Sequence, residues 1–167
     1  MTHKHHRITA SVALALATGA ATIVLVAAFV TPASGTPPSG VAIVSLDRGT
    51  VADDFAIRVD GIRVSAKGPV DLVAEHLTFA PGGTTGWHVH PGPVLVIVKS
   101  GTVTKYSADC TVNRYSAGQA FVERGPTDEN MVRNESTTNT AETLVTFITP
   151  VGATPRDDAP APPDCNP

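Results

Sequence analysis

The sequence predicts an all-β domain, a sandwich or barrel, that follows an N-terminal hydrophobic segment. Three observations carry this. Short runs rich in β-branched residues recur from Val41 onward: Val41–Leu46, Phe55–Val59, Leu72–Phe79, Val94–Lys99, Thr102–Ser107, Gln119–Val122, Met131–Asn134 and Thr143–Thr149. Turn formers separate them at roughly the 8–12-residue spacing of all-β domains, among them Pro81-Gly82-Gly83, Pro91-Gly92-Pro93, Ser100-Gly101 and Gly125-Pro126. After the first third of the chain, no segment shows the 3.6-residue apolar period of an amphipathic helix. Asp53 to Ile57 is the one stretch with room for a helical turn.

The N-terminal third differs from the rest. Residues 1–7 are basic, and Ile8 to Val30 contains no charged residue. A basic start followed by an apolar run is the layout of an export signal. The run is also long enough to span a bilayer as an anchor. Small residues follow at Ala33, Ser34 and Gly35, so cleavage there and retention as an anchor are the two alternatives. Under both, the bulk of the chain is expected outside the cytoplasm, with membrane contact only through residues 8–30. The domain plan is therefore residues 1–33 as signal peptide or anchor, 34–40 as a Pro/Ser/Gly/Thr linker, 41–153 as the barrel and 154–167 as a Pro-rich, irregular tail.

The net charge is −3, and the basic residues of the exported part are scattered singly. Nucleic-acid binding needs a basic patch and is excluded as an expectation. Cys110 and Cys165 are the only two cysteines, and both lie in the exported part. An even pair in an oxidising compartment points to a disulfide, here one that staples the tail to the barrel. Two free thiols or pairing between chains are the alternatives.

Beyond the basic N-terminus with His3, His5 and His6, the chain has three histidines: His76, His88 and His90. His88 and His90 are two apart, so on a strand both imidazoles point to one face. Two converging imidazoles are half of a common transition-metal site. Trp87 falls on the opposite face by the same parity, as a packing residue. In Leu72–Phe79, alternation groups Val73, Glu75, Leu77 and Phe79. Three of the four are apolar, so that face looks inward and carries Glu75 with it. A carboxylate on an apolar face is costly unless it is paired, hydrogen-bonded or metal-bound. Glu75 is thus a candidate ligand or a general base with a raised pKa; a satisfied structural carboxylate is the alternative. His76 falls on the outward face.

The stretch Gly82 to Gly101 resembles the first motif of the cupins: Gly, five residues, His-x-His, three or four residues, Glu, six residues, Gly. Gly82, His88, His90 and Gly101 fall in register. Gly118 to Asn134 is similar to the second motif, which runs from a Gly through a turn to His, three residues and Asn; Gly118 and Asn134 match its ends, with the turn one residue longer. The resemblance implies a single-domain cupin-type β-barrel, and in cupins the ion is usually held by the two histidines, the Glu of the first motif and the His of the second. Here the Glu position is Val94, followed by Leu95, and the second-motif His position is Asn130. The expected ligand set is therefore His88, His90, Glu75 and Asn130, with Glu129 as a weaker candidate beside Asn130. The ion implied is a divalent transition metal (Fe, Mn, Ni, Cu or Zn).

Two functions follow as expectations. With ligands missing, the first is a non-catalytic module that binds a metal or small molecule. The second is a metal-dependent enzyme of the oxidoreductase, dioxygenase or isomerase type acting on a small molecule. A small-molecule ligand is the expected partner, and a homodimer is compatible with the fold. Asn134-Glu135-Ser136 also matches a glycosylation acceptor.

Overall fold

The computed structural model describes residues 35–165, so the basic and apolar N-terminal segment lies outside the described residues. Within them the chain is all strand: β1 (Ser39–Val51), β2 (Phe55–Val59), β3 (Ile62–Ala66), β4 (Val70–Thr84), β5 (His88–Val89), β6 (Val94–Ser100), β7 (Thr102–Ser107), β8 (Val112–Ser116), β9 (Ala120–Glu123), β10 (Asn130–Arg133), β11 (Ala141–Pro150) and β12 (Asp157–Asp158). The stretch proposed as a helical turn, Asp53 to Ile57, runs instead into β2. Its alternation Phe55, Ile57, Val59 suits a hairpin with β3 closed by Asp60-Gly61, both at positive φ.

All strands except β2 and β3 form one antiparallel system that folds into a nearly closed barrel. One wall reads β1–β4–β11–β6–β9 and the other β8–β7–β10–β5–β12. The long strand β4 joins the walls at its C-terminal end, where Thr84 pairs with Arg133. Alternation decides what lies inside. Strand β6 turns Val94, Val96 and Val98 inward, and β11 turns Val145 and Phe147 inward. These residues join Val73, Leu77, Phe79, Val103 and Phe121 in one apolar core. A smaller cluster of Trp87, Met131, Ala159 and Cys165 packs against the second wall.

The linker and tail are more ordered than composition suggests. Strand β1 begins at Ser39, inside the stretch read as linker, and Thr36 donates its N–H to Ala159 O at 2.9 Å. The tail returns along the barrel as β12, pairing Asp157 with Val89 and Asp158 with His88. It ends in a disulfide between Cys110 and Cys165, Cα atoms 5.4 Å apart. A Pro-rich segment gains order here from backbone pairing and a covalent tether, neither of which shows in composition.

Candidate metal centre

His88 and His90 are brought into position by a chain reversal at Gly86, whose φ of +67° is a left-handed conformation that suits glycine. A side chain at Gly86 would also run into the Thr36 carbonyl. Both imidazoles are buried, 3% and 4% exposed, with ring centroids 4.7 Å apart and planes nearly perpendicular. His88 Nδ1 donates to Gly86 O at 2.9 Å, and His90 Nδ1 donates to Pro155 O at 2.6 Å. A carbonyl oxygen can only accept, so both Nδ1 atoms carry hydrogen. Each Nε2 is then left for the interior.

The group both face is Glu123, at the inward end of β9 and 3% exposed. Its Oε2 lies 2.7 Å from His90 Nε2 and 3.8 Å from His88 Nε2. Burial raises the carboxyl pKa, but the hydrogen bonds and positive charge of His88 and His90 outweigh it and hold it down at about 2. Ligand atoms of His88, His90 and Glu123 all lie within 4.8 Å of one another. Two imidazoles and one carboxylate form the donor set of open-sided transition-ion sites, with the outer ring nitrogens held by backbone carbonyls as such sites require. With neutral His90, the lone pairs of Nε2 and Glu123 Oε2 would face each other at 2.7 Å. A proton or a cation between them removes that repulsion. The residues present therefore fit a divalent transition ion.

A cavity of about 50 Å³ opens beside the three groups, walled by apolar side chains such as Val96, Phe121, Val132 and Phe147. That is far below the roughly 300–1,000 Å³ of a site for a drug-sized ligand. It holds a few water-sized molecules. Glu75 lines this cavity, half-buried on the inward face of β4 as alternation requires. Burial pushes its carboxyl pKa up, opposed by the charges of His90 and Arg48. Glu75 lies outside the close cluster of three, whose carboxylate is Glu123. Strand β9 accounts for this placement. Its alternation puts Phe121 and Glu123 on one face, and the inward packing of Phe121 carries Glu123 with it. A strand taken to end at Val122 stops one residue short of this carboxylate.

Asn130 is fully buried, paired through β10 with His88, and outside the cavity lining. Its Nδ2 donates to Asp128 O at 2.9 Å, while its Oδ1 is buried without a hydrogen-bond partner. Glu129 lies in a separate polar groove with Lys105, Arg124 and Asp128. His76 faces away and pairs with Glu142 at 2.8 Å. Asn134, the end of the second motif and the acceptor of the glycosylation match, is 1% exposed. Its Nδ2 donates to Ala80 O and Asn139 O, so it is a structural staple with no room for a glycan.

Two facing walls, a glycine-led His-x-His that begins on a short strand and the second-motif asparagine behind it define a cupin-type, double-stranded β-helix barrel. Similar solved structures include a cupin-like protein from Thermotoga maritima, 19% identical, covering 54% of this chain and 65% of that one, with a TM-score of 0.47. A cupin superfamily protein from Desulfitobacterium hafniense is 10% identical, covering 65% of this chain and 77% of that one, with a TM-score of 0.46. A polyketide cyclase from Streptomyces resistomycificus is 14% identical, covering 72% and 77%, with a TM-score of 0.47. The chain spans about two thirds of the length of the Thermotoga protein. No family model matches the sequence, and no curated protein does.

Proposed function

We propose that this is an exported cupin-type protein that holds a divalent transition ion through His88 Nε2, His90 Nε2 and the Glu123 carboxylate. The observation that carries the reading is the pinning of both Nδ1 atoms by carbonyls, which turns both Nε2 atoms toward one buried carboxylate. Asn130, with an unpartnered buried Oδ1 on the strand paired with His88, is a further oxygen donor beside Glu75. Export rests on the basic-then-apolar N-terminus, and the Cys110–Cys165 disulfide supports an oxidising compartment. When bound, the ion would supply Lewis-acid or redox chemistry to a species small enough for the cavity.

Loading the full chain with Fe, Mn, Ni, Cu or Zn in turn tests this. At least one ion should bind near one per chain, and His88→Ala/His90→Ala should weaken it by more than about 100-fold, beyond the loss expected from outer partners alone. Absence of stoichiometric binding for all five would overturn the reading.

A catalytic use of the site is the second reading, and Glu75 favours it. This carboxyl faces the same small cavity, its pKa is raised by burial, and no hydrogen bond to it is found among the described residues. Such a group is suited to accept a proton from a cavity-bound species. Glu75→Gln should then leave ion affinity within about twofold, whereas loss comparable to the histidine variant would make Glu75 a ligand instead.

A further inference from the structure

We infer that the C-terminal strap, Pro155 to Cys165, is a positioning part of the His88/His90/Glu123 centre. Its covalent tether makes ion affinity depend on the redox state of Cys110–Cys165. The inference rests on the metal-centre reading for its affinity readout, and on the strap's own contacts for its geometry.

The strap meets the centre at three points. Pro155 O accepts the hydrogen of His90 Nδ1 and so decides which ring nitrogen faces Glu123. No other partner for His90 Nδ1 is found among the described residues. Arg156 lines the cavity and donates through Nη2 to Thr85 O at 2.7 Å, which ties the strap to the turn before His88. Asp158 pairs with His88 and Asp157 with Val89, so the two-residue strand that carries His88 has the strap as one of its two neighbours.

Beyond these, Ala159 holds the strap by donating its N–H to Trp87 O and accepting at its carbonyl from Thr36 N–H, both at 2.9 Å. Its strand is two residues long, and Ala159 and Cys165 are its buried apolar contacts. The disulfide closes the far end, with Cys110 exposed and reachable by a reductant. A dithiol reductant attacks one sulfur, the S–S bond breaks, and the dithiol leaves as its own disulfide. Two electrons and two protons pass to Cys110 and Cys165 as thiols. Without the tether the segment from Pro155 keeps only these few bonds; as it lifts, His90 Nδ1 loses its acceptor, and the ring is free to turn or change tautomer. Loss of such an outer partner costs a metal site about 10–100-fold in affinity.

The test compares three proteins: the wild-type full chain, its Cys110→Ser/Cys165→Ser variant, and a chain truncated after Thr154. Nitrogen NMR of the metal-free histidines reports the tautomer of His90, and titration with Zn²⁺ reports affinity. Wild type should show hydrogen held on His90 Nδ1 by the Pro155 carbonyl. Both altered chains should show mixed tautomers and about tenfold or greater loss of Zn²⁺ affinity, with His88 retaining Nδ1–H through Gly86. Wild type treated with a dithiol should follow the double serine variant. Zn²⁺ binding absent from wild type, with the tautomer change present, would overturn the metal centre and leave the positioning role. An unchanged His90 tautomer and affinity in the chain ending at Thr154 would overturn positioning by the strap. The same result confined to the double serine chain would overturn the redox dependence.

Discussion

The β2–β3 hairpin and the end of the barrel around His88 differ in how regular structure relates to packing. The hairpin has matched alternation and an Asp-Gly turn, and it forms a two-stranded sheet of its own. Yet Ile57, Val59, Ile62 and Val64 on its apolar face are 41–66% exposed. The site end has the shortest strands, β5 and β12, of two residues each. There the imidazoles and the carboxylate are 3–4% exposed, and each has a named polar partner. Strand pattern reports local conformation, whereas fixing a functional atom takes bonds from several distant pieces of chain. For His90 those pieces are the Pro155 carbonyl and Glu123; for His88 they are the backbones of Asn130 and Asp158, with the ring held locally by Gly86 O.

The contrast can be broken most strongly at the site end. Gly86→Ala forces a left-handed residue to carry a side chain against the Thr36 carbonyl and should cost about 3 kcal/mol or more, seen as a lower urea midpoint. Next is Asn134→Ala, which unpairs the Ala80 and Asn139 carbonyls and the Ser136 N–H it now satisfies. A loss of about 2–3 kcal/mol in the same assay is expected.

Asp71 sharpens the comparison through pH. Its carboxylate accepts from Gly152 N–H, Thr50 Oγ1 and Arg48, and these hold its pKa below the usual carboxylate range, the Gly152 bond most. A lowered folded pKa means the contribution is complete above about pH 4 and fades as pH falls further. Unfolding midpoints measured from pH 6 to pH 2 should fall more steeply in wild type than in Asp71→Asn. The smallest effect belongs to the hairpin: Ile62→Ser, at a side chain 66% exposed, should shift the midpoint by no more than about 0.5 kcal/mol. A loss above 2 kcal/mol there would show that the hairpin is held by more than its own ladder.

Period-two alternation made the walls legible. Strand β7 has the bounds its pattern implies, and the inward set Val73, Glu75, Leu77 and Phe79 follows from parity alone. The His-x-His pair was legible because extended backbone turns residues two apart to one side, although β5 itself ends at Val89 before His90. Glu123 was not, because its role depends on which strand lies beside β6, and ladder partners leave no mark in linear order. Strand β8, Val112–Ser116, is mostly exposed and half polar, so it lacks an apolar signal. The strap was hidden by proline content, which removes backbone donors without preventing Pro155 from offering its carbonyl.

One pairing in the barrel has a consequence for tracing sites of this kind. Val94 stands where the first motif carries its carboxylate, and its direct partner across the β6–β9 ladder is Glu123. A carboxylate thus stands one strand sideways of the motif position, about 5 Å in space and 29 positions along the chain. A search that scores positions one by one would record Val94 as a loss and discard the centre. A search written in the coordinates of the sheet, asking what stands opposite each vacated position, would recover it.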